Sequence, residues 1–288
     1  MSRIAYVNGS YRPLRDAAVH VEDRGYQFAD GVYEVVYRHN GRMVDMDLHL
    51  ARLDRSLGEL SIRKPVAHAS LLVILEEVAR RNRLSSGLLY IQITRGVAPR
   101  LHAFPPASTR PSLVITMRSA PPFPASLANW RGAAITLPDQ RWARCDIKSV
   151  SLLPNILAKE RARQAGALEA ILFDRQEIVT EGASTSVFIV DAEGTLRTRP
   201  LSHSILPGCT RAALIADLAA AKIPYDERAF SLSELRAARE IFLTAATTFV
   251  KPITMLDGAP VGDGMPGPVT ERLFALTRNH ITGQRNAA

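Results

Sequence analysis

Apolar residues along the chain recur with two spacings, one typical of strands and one typical of helices. Leucines three and four positions apart predict amphipathic helices over 47–61 and 68–83. The pairs Asn8-Gly9 and Asn40-Gly41 mark tight turns between short β-rich runs. The first part of the chain is therefore expected to mix two helices with strands at 4–7, 17–21, 32–37, 88–94 and 112–117.

Residues 119–126, Ser-Ala-Pro-Pro-Phe-Pro-Ala-Ser, form the clearest linker in the sequence. Three prolines exclude a helix there and weaken any central strand. We therefore expect an N-terminal domain over 1–118 and a C-terminal domain over 127–288. Beyond the linker the pattern predicts strands at 133–137, 170–173, 186–190 and 240–243, and helices at 153–164 and 209–221. Two mixed α/β (α+β) lobes with a cleft between them are the expected architecture.

The charge of the chain is +8, from 36 basic and 28 acidic residues. The basic residues are mostly arginines scattered among acids, without a block of like charges or an aromatic-studded basic run. We therefore expect attraction for small anionic substrates rather than for nucleic acid. Lysine occurs only at positions 64, 148, 159, 222 and 251, so a mechanism that needs a reactive amine has five candidates.

No apolar run is long enough to cross a bilayer, and no apolar signal region follows the N-terminal residues. The sequence thus predicts a protein without a membrane partner. Its two cysteines, Cys145 and Cys209, are too few for a disulfide framework and favour a reducing cytoplasm.

Common nucleotide, nucleophile-elbow and metal motifs are missing from the sequence, so no metal site is expected. What stands out are polar segments between apolar ones. Taken singly, each has a plain structural explanation, because a loop lysine is usually a solvated cation and Glu181 before Gly182 can close a turn. The residues alone leave open whether the chain is an enzyme or a non-catalytic anion-binding protein. The segments are 22–34, 94–102, 141–149 and 180–186.

Together these segments resemble the fold-type IV pyridoxal-phosphate enzymes, and among them most of all the D-amino acid aminotransferases. The resemblance runs from about residue 8 to about residue 248. It implies a smaller N-terminal α/β domain and a larger C-terminal domain with a β-barrel-like core, with pyridoxal 5'-phosphate in the cleft between them. The runs that carry it are DRGYQF at 23–28, DGVYEVV at 30–36 and RCDIKS at 144–149.

The resemblance also implies the residues that hold the cofactor. Lys148 would form the Schiff base and then carry the proton between substrate and cofactor as general base and acid. Glu181 would keep the pyridine nitrogen protonated. We also considered that Arg141 and Arg144 disfavour the ammonium form of the lysine. The other cofactor residues implied are Arg52 for the phosphate, Leu206 against the ring, and Ser184, Cys209, Thr210, Ala246 and Thr247.

One segment departs from the family pattern. Where relatives offer serine and threonine hydroxyls to the phosphate, this chain has Ala245 and Ala246. Main-chain donors remain available there, but two side-chain hydroxyls are missing. We therefore expect slightly weaker retention of the cofactor.

Substrate recognition is implied by Arg100 and His102, an Arg-x-His pair that in the family binds the substrate carboxylate together with Tyr33. The planar fork of arginine suits a carboxylate because it donates two parallel hydrogen bonds. In the family this loop comes from the partner subunit, which implies a homodimer.

The expected reaction is transamination of D-amino acids such as D-alanine with 2-oxoglutarate, giving a 2-oxo acid and D-glutamate. A branched-chain L-aminotransferase or an (R)-amine transaminase would keep Lys148 and Glu181 but lack the Arg-x-His pair. An aminodeoxychorismate lyase would share the lysine and differ in the same loop. The preferred side chain, any activity on (R)-amines, a biosynthetic or catabolic role and oligomers larger than a dimer stay open.

Overall fold

The structure is a computed structural model that describes residues 3–121, 123–127 and 129–283. It divides into two compact units. The first comprises the described residues up to Pro121 together with Ile147–Ser151, and the second comprises the remainder. Pro122 of the predicted linker lies outside the described residues, as do Ala128 and the first two and last five residues of the predicted domains.

The first unit is built on a six-stranded sheet in which every neighbouring pair is antiparallel, with the order β2-β1-β6-β5-β3-β4. Its strands are β1 (Ile4–Val7), β2 (Ser10–Pro13), β3 (Gly31–His39), β4 (Arg42–Met43), β5 (Gly87–Thr94) and β6 (Ser112–Arg118). Its helices are α1 (Arg24–Phe28), α2 (Met46–Glu59) and α3 (His68–Asn82). Leucines of α2 and α3 pack with Val32 and Val36 of β3 in one core. Because side chains alternate along a strand, Tyr33 and Val35 lie on the opposite face of the sheet.

Both predicted Asn-Gly turns are present and explain the hairpins of the first unit. Asn8 and Gly9 have φ values of 46° and 96°, and Asn40 and Gly41 have 46° and 88°. Positive φ at both central residues matches the right-handed twist of paired strands. The predicted strand at 17–21 is wrong, since among the described residues this segment belongs to no strand. Its valines, Val19 and Val21, are exposed and form no sheet face.

The second unit contains a nine-stranded mixed sheet that is curled into a half-barrel. Eight strands follow the order β12-β11-β10-β13-β14-β7-β8-β9, and β15 pairs with β14. They are β7 (Gly132–Pro138), β8 (Glu169–Phe173), β9 (Val179–Gly182), β10 (Ser186–Val190), β11 (Leu196–Thr198), β12 (Asp226–Glu227), β13 (Glu240–Ala245), β14 (Phe249–Leu256) and β15 (Ala259–Pro260). Its helices are α4 (Leu153–Gln164), α5 (Cys209–Ala220), α6 (Leu232–Arg236) and α7 (Pro268–Thr282).

Helices pack against this sheet. The stacked rings of Phe188 and Phe242, with centroids 4.9 Å apart, lie in a core with apolar side chains of α5 and α7. Helix α4 packs against β7 and β8. In the part of the chain that is described, no helix combines the length and apolarity needed to span a membrane.

Candidate active site

The main chain around Lys148 completes the first unit rather than the second. Tyr33 N–H donates to Lys148 O at 3.0 Å, and Val150 N–H donates to Gly31 O at 3.0 Å. Lys148 N–H donates to Ser56 Oγ on α2 at 3.2 Å. Residues 147–151 therefore lie along β3 and place Lys148 beside Tyr33.

The side chain of Lys148 lies over the face of the Tyr33 ring, with Nζ 4.1 Å from the ring centroid. Tyr90 packs beside Tyr33 with centroids 5.7 Å apart, and its hydroxyl donates to Gln92 Oε1 at 2.6 Å. Burial, with a smaller contribution from Tyr33, raises the pKa of Tyr90 to about 12. The sheet face beside the lysine is therefore aromatic, and its Tyr90 hydroxyl stays protonated over the physiological pH range.

Arg52, the predicted phosphate residue, is held by Glu34 on the helix-covered face of β3. Its Nε and Nη2 donate to the two carboxylate oxygens at 2.8 and 2.7 Å, and His49 Nδ1 is 2.7 Å from Glu34 Oε2. Burial would raise the pKa of Glu34, but Arg52 and His49 lower it to about 2. Glu34 therefore stays ionised and fixes the direction of the Arg52 guanidinium.

Arg100 and His102 lie on an exposed loop, and both side chains contact the Phe28 ring. The Arg100 guanidinium carbon is 5.0 Å from the Phe28 centroid, and the His102 and Phe28 centroids are 5.5 Å apart. Phe28 ends α1, five residues before Tyr33. The structure thus gathers the two predicted carboxylate-binding side chains at the segment that leads into β3.

Gly96 permits the sharp turn at the start of this loop. Its φ is +102°, and a Cβ there would lie 2.0 Å from Arg110 O. No L side chain fits such a position without displacing main chain. The loop conformation is therefore encoded partly by this glycine.

Glu181, on β9 of the second unit, is buried at the centre of a charged cluster. It pairs with Arg141 Nη1, and the Leu206 N–H lies 3.1 Å from both carboxylate oxygens. Arg141 also donates to Asp139 Oδ2 at 2.7 Å. Burial raises the pKa of Glu181 to about 7, because the cost of desolvating the carboxylate exceeds what Arg141 and the Leu206 N–H return.

Two arginines that precede Lys148 in the sequence are paired with carboxylates. Arg141 is matched by Asp139 and Glu181, and Arg144 donates to Asp146 Oδ1 at 3.0 Å. Both guanidinium charges are thus offset by carboxylates. Arg141 is thus a partner of Glu181, and the hypothesis that Arg141 and Arg144 disfavour the ammonium form of Lys148 stays a prediction.

The N-terminus of α5 presents main-chain donors from a glycine turn. Gly208 is the N-cap and, as a glycine, has no side chain with which to cap the helix. A Cβ at position 208 would lie 2.8 Å from Ser186 Oγ. Cys209 and Thr210 begin the helix, whose dipole and first N–H groups attract anions. Leu206, two residues before the N-cap, is tied to Glu181 through its N–H.

The remaining predicted residues lie on two loops of the second unit. Ser184 is exposed, and its hydroxyl donates to Glu169 Oε2 at 2.8 Å. Ala246 and Thr247 form the turn between β13 and β14, where Thr247 is exposed. The flanking Thr244 and Thr248 hydroxyls are buried without a hydrogen-bond partner in the described part of the chain.

Sequence reasoning missed several partners of the predicted residues. Asp139, the Leu206 N–H and the pair Glu34–His49 only become visible in the fold, because each lies far along the chain from a group it contacts. Cys145 is buried, and burial raises the pKa of its thiol to about 11. A protonated, buried thiol suits packing rather than redox chemistry.

Comparison with known proteins identifies relatives over nearly the whole chain. The chain is 38% identical over 278 residues to D-alanine aminotransferase of Bacillus licheniformis, covering 96% of each protein. It is 40% identical over 277 residues to D-alanine aminotransferase of Listeria monocytogenes, covering 96% of this chain and 95% of the relative.

Solved structures share the fold. The branched-chain amino acid aminotransferase of Escherichia coli matches with a TM-score of 0.86 at 25% identity, covering 100% of this chain and 97% of that one. The PLP-bound form of a hypothetical aminotransferase from Mycobacterium tuberculosis matches with a TM-score of 0.83 at 22% identity, covering 98% of this chain and 100% of that one.

The family described as Amino-transferase class IV matches residues 31–256. This range contains Tyr33, Arg52, Arg100, Lys148 and Glu181. The chain is therefore an enzyme that belongs to the class IV aminotransferase family.

Proposed function

We propose that this enzyme uses pyridoxal 5'-phosphate to transfer the amino group of D-amino acids such as D-alanine to 2-oxoglutarate, giving a 2-oxo acid and D-glutamate. The observation that carries the substrate assignment is the placement of Arg100 and His102 together on the Phe28 ring, which keeps the two side chains of the Arg-x-His pair side by side. The relatives named D-alanine aminotransferase support the same assignment.

The side chains present fit this cofactor. Glu181 is a buried carboxyl whose pKa is raised to about 7, so a cationic N–H beside it would hold it ionised. The α5 N-terminus, which begins at the glycine N-cap Gly208, suits a phosphate because of its helix dipole and main-chain donors. When bound, pyridoxal phosphate supplies an aldehyde for amine exchange and a ring that withdraws electrons from the substrate Cα.

Lys148 is proposed as the lysine that carries the cofactor and then moves the substrate α-proton. Its main chain is fixed by β3 and α2, while Nζ is held only against the Tyr33 ring face among the contacts described for it. A fixed main chain and a mobile side-chain amine suit this role, because the amine must be displaced and must then accept a proton.

Glu181 is proposed to accept the hydrogen bond of the ring N–H and keep that proton in place. Arg141 and the Leu206 N–H hold its carboxylate in one orientation. Arg52 and the N–H groups of Cys209 and Thr210 are proposed to bind the phosphate, with main-chain donors near Ala246 and Thr247. Ser184 and Leu206 are proposed to contact the cofactor.

Arg100, His102 and Tyr33 are proposed to bind the substrate carboxylate. Fixing the carboxylate on one side determines which enantiomer directs its α-hydrogen toward Lys148. A donor without a carboxylate gains nothing from this pair, which separates the proposal from an (R)-amine transaminase. The branched-chain aminotransferase of Escherichia coli matches at 25% identity and supports the fold.

We further propose a homodimer in which this loop acts on the partner subunit's substrate. Val21, Tyr26, Leu101 and Phe104 expose 71%, 76%, 66% and 65% of their surfaces. Arg24, between the first two in sequence, donates to Leu101 O and so brings the segments together. Large apolar side chains exposed on neighbouring segments are typical of an interface. Both cysteines are free thiols, which agrees with a cytoplasmic protein.

The proposal is tested by supplying the cofactor-loaded enzyme with 2-oxoglutarate and one donor at a time: D-alanine, L-alanine, L-leucine or an (R)-arylalkylamine. We expect an oxo acid from D-alanine at a rate far above that from the other three donors. Turnover restricted to L-leucine or to the amine would contradict the substrate assignment while leaving the family unchanged.

A further inference from the structure

Arg24 connects the start of α1 to the loop that carries Arg100 and His102. Its side chain is buried, and Nη1 donates to Leu101 O at 2.6 Å and to Ala103 O at 3.4 Å. These two carbonyls flank His102. The Arg24 N–H also donates to Gly96 O at 2.9 Å, so one residue contacts the loop at its start and on both sides of His102.

Asp30 fixes Arg24 by accepting hydrogen bonds from two arginines. Its Oδ2 accepts from Arg24 Nε and from Arg95 Nε, each at 2.8 Å, and its Oδ1 accepts from Arg95 Nη2 at 3.0 Å. Arg95 also donates to Leu60 O at 2.7 Å, and its guanidinium carbon lies 3.7 Å from the centroid of the Phe104 ring. The Asp30 carboxylate thus fixes the guanidinium groups of Arg24 and Arg95, and each of these also donates to main-chain carbonyls.

Between residues 100 and 104, few other contacts of the loop are described. Every residue from Arg100 to Phe104 is exposed, and the Arg100 and His102 side chains rest on Phe28. The Arg24 guanidinium lies on the same ring, 4.8 Å from its centroid. The direction of both side chains therefore depends on the main chain that Arg24 and Asp30 anchor.

We propose that Arg24, braced by Asp30, is a positioning residue for substrate-carboxylate recognition: it fixes the main chain at 101–103 so that Arg100 and His102 are presented in one arrangement. This inference rests on the proposed role of Arg100 and His102 in carboxylate binding. Arg24 acts through them and does not itself touch the substrate.

Arginine is required because one side chain must reach three acceptors. A lysine at position 24 would retain the charge beside Asp30 but cannot donate from separate nitrogens to Asp30 and to the two carbonyls. A carboxylate contact is present in both the bound substrate and the transition state. Its loss is therefore expected to raise KM more than it lowers kcat.

The test compares Arg24→Lys with Arg38→Lys in the cofactor-loaded enzyme. Arg38 is a matched control, since it pairs with Glu76 at 2.7 Å and donates to the carbonyls of Leu84 and Ser85 at 3.1 and 3.0 Å, away from the loop. We expect KM for D-alanine to rise about tenfold in Arg24→Lys, with kcat changed by less than about threefold. Arg38→Lys is expected to match the wild type, and an equal KM increase in both variants would overturn the proposal.

Combining the substitutions separates positioning from general structural damage. If Arg24 acts through Arg100 and His102, Arg24→Lys should add less than about a twofold increase in KM to an Arg100→Ala/His102→Ala variant, because the side chains it presents are already absent. An undiminished tenfold increase in that background would overturn the inference. No KM change in Arg24→Lys, with a large one in Arg100→Ala, would also overturn it and leave the proposed function intact. No KM change in Arg100→Ala would instead overturn the proposed carboxylate recognition.

Phe28→Leu is the second variant, to be used whether or not Arg24→Lys folds. It retains Arg24 and Asp30 and removes the ring that Arg24, Arg100 and His102 share. We expect KM for D-alanine to rise while the visible spectrum of the bound cofactor stays that of the wild type. A wild-type KM for this variant would contradict the role of the Phe28 contact.

Discussion

The Lys148 side-chain nitrogen lies 4.1 Å from the centroid of the Tyr33 ring, and the Tyr33 N–H donates to the Lys148 carbonyl at 3.0 Å. The two residues are therefore joined through main chain and side chain alike. Cation–π contacts of this kind are weak enough to exchange, at about 0.5–2 kcal/mol. The lysine is thus positioned by its backbone while its amine stays able to move.

Lys148→Ala should remove the visible absorption band of the lysine-linked cofactor and lower turnover of D-alanine by about 10³-fold or more, because one amine would serve for both attachment and proton transfer. Absorption spectra and steady-state rates measure both effects. Lys64→Ala is the control, since Lys64 pairs with Asp54 at 2.9 Å on the surface. Borohydride reduction followed by peptide mapping should label position 148 of the five lysines. A label on another lysine would contradict the assignment.

Glu181→Gln should change how stability depends on pH in the cofactor-free protein. The pKa of Glu181 rises from 4.5 to about 7 on folding, so between these values the native state holds a proton that the unfolded chain has lost. Wild-type stability should therefore fall as pH rises through this window, by at most about 3 kcal/mol from this group. Urea unfolding at pH 5 and pH 8 measures the difference. An identical decline in the glutamine variant would contradict the raised pKa.

Arg52→Met should destabilise the fold by about 3–5 kcal/mol, because it leaves the Glu34 carboxylate buried without its main partner. The double variant Glu34→Gln/Arg52→Met should recover part of that loss, since no unpaired charge remains. Urea unfolding measures the recovery. Cofactor retention during dialysis should stay impaired in both variants, because the proposed phosphate contact is absent from each. If cofactor retention recovered together with stability in the double variant, Arg52 would only neutralise Glu34 and would not bind the phosphate.

Mixing inactive subunits tests whether the loop acts on the partner. With D-alanine well below the KM of the Arg100→Ala chain, Lys148→Ala and Arg100→Ala chains would each be nearly inactive alone, but a mixed dimer would contain one complete site. Random reassembly of equal amounts should restore about one quarter of wild-type activity, since half of the dimers are mixed and one of their two sites is intact. Lys148→Ala mixed with a Lys148→Ala/Arg100→Ala double variant is the control and should restore none. No recovery in the first mixture would contradict a loop supplied by the partner.

Much of the fold follows from local patterns. Helix α4 occupies Leu153–Gln164 and strand β10 occupies Ser186–Val190, both as predicted, because their apolar spacing agrees with the surface that each buries. Segment 17–21 has a similar alternation but lies exposed, since periodicity does not reveal whether a neighbouring strand exists. Strand β14 was missed because the polar Lys251, followed by Pro252, interrupts its apolar run.

The candidate site, too, could be predicted from the sequence only in part. Lys148, Glu181, Arg100 and His102 could be named from sequence because each stands in a run that resembles the family. The contacts that hold these side chains in place could not be predicted. Glu181 depends on Arg141, forty residues away along the chain, and the loop of His102 depends on Arg24, whose hydrogen bond to Leu101 O spans 77 residues. Such pairs are set by the fold, and no local pattern records them.

The enantiomer of the product tests the central claim most directly. Cofactor-loaded enzyme would be incubated with racemic alanine and 2-oxoglutarate, and the glutamate formed and the alanine remaining would be separated by chiral chromatography. We predict that D-alanine is consumed, that L-alanine remains, and that the glutamate is the D enantiomer. Accumulation of L-glutamate with loss of L-alanine would contradict the proposed function.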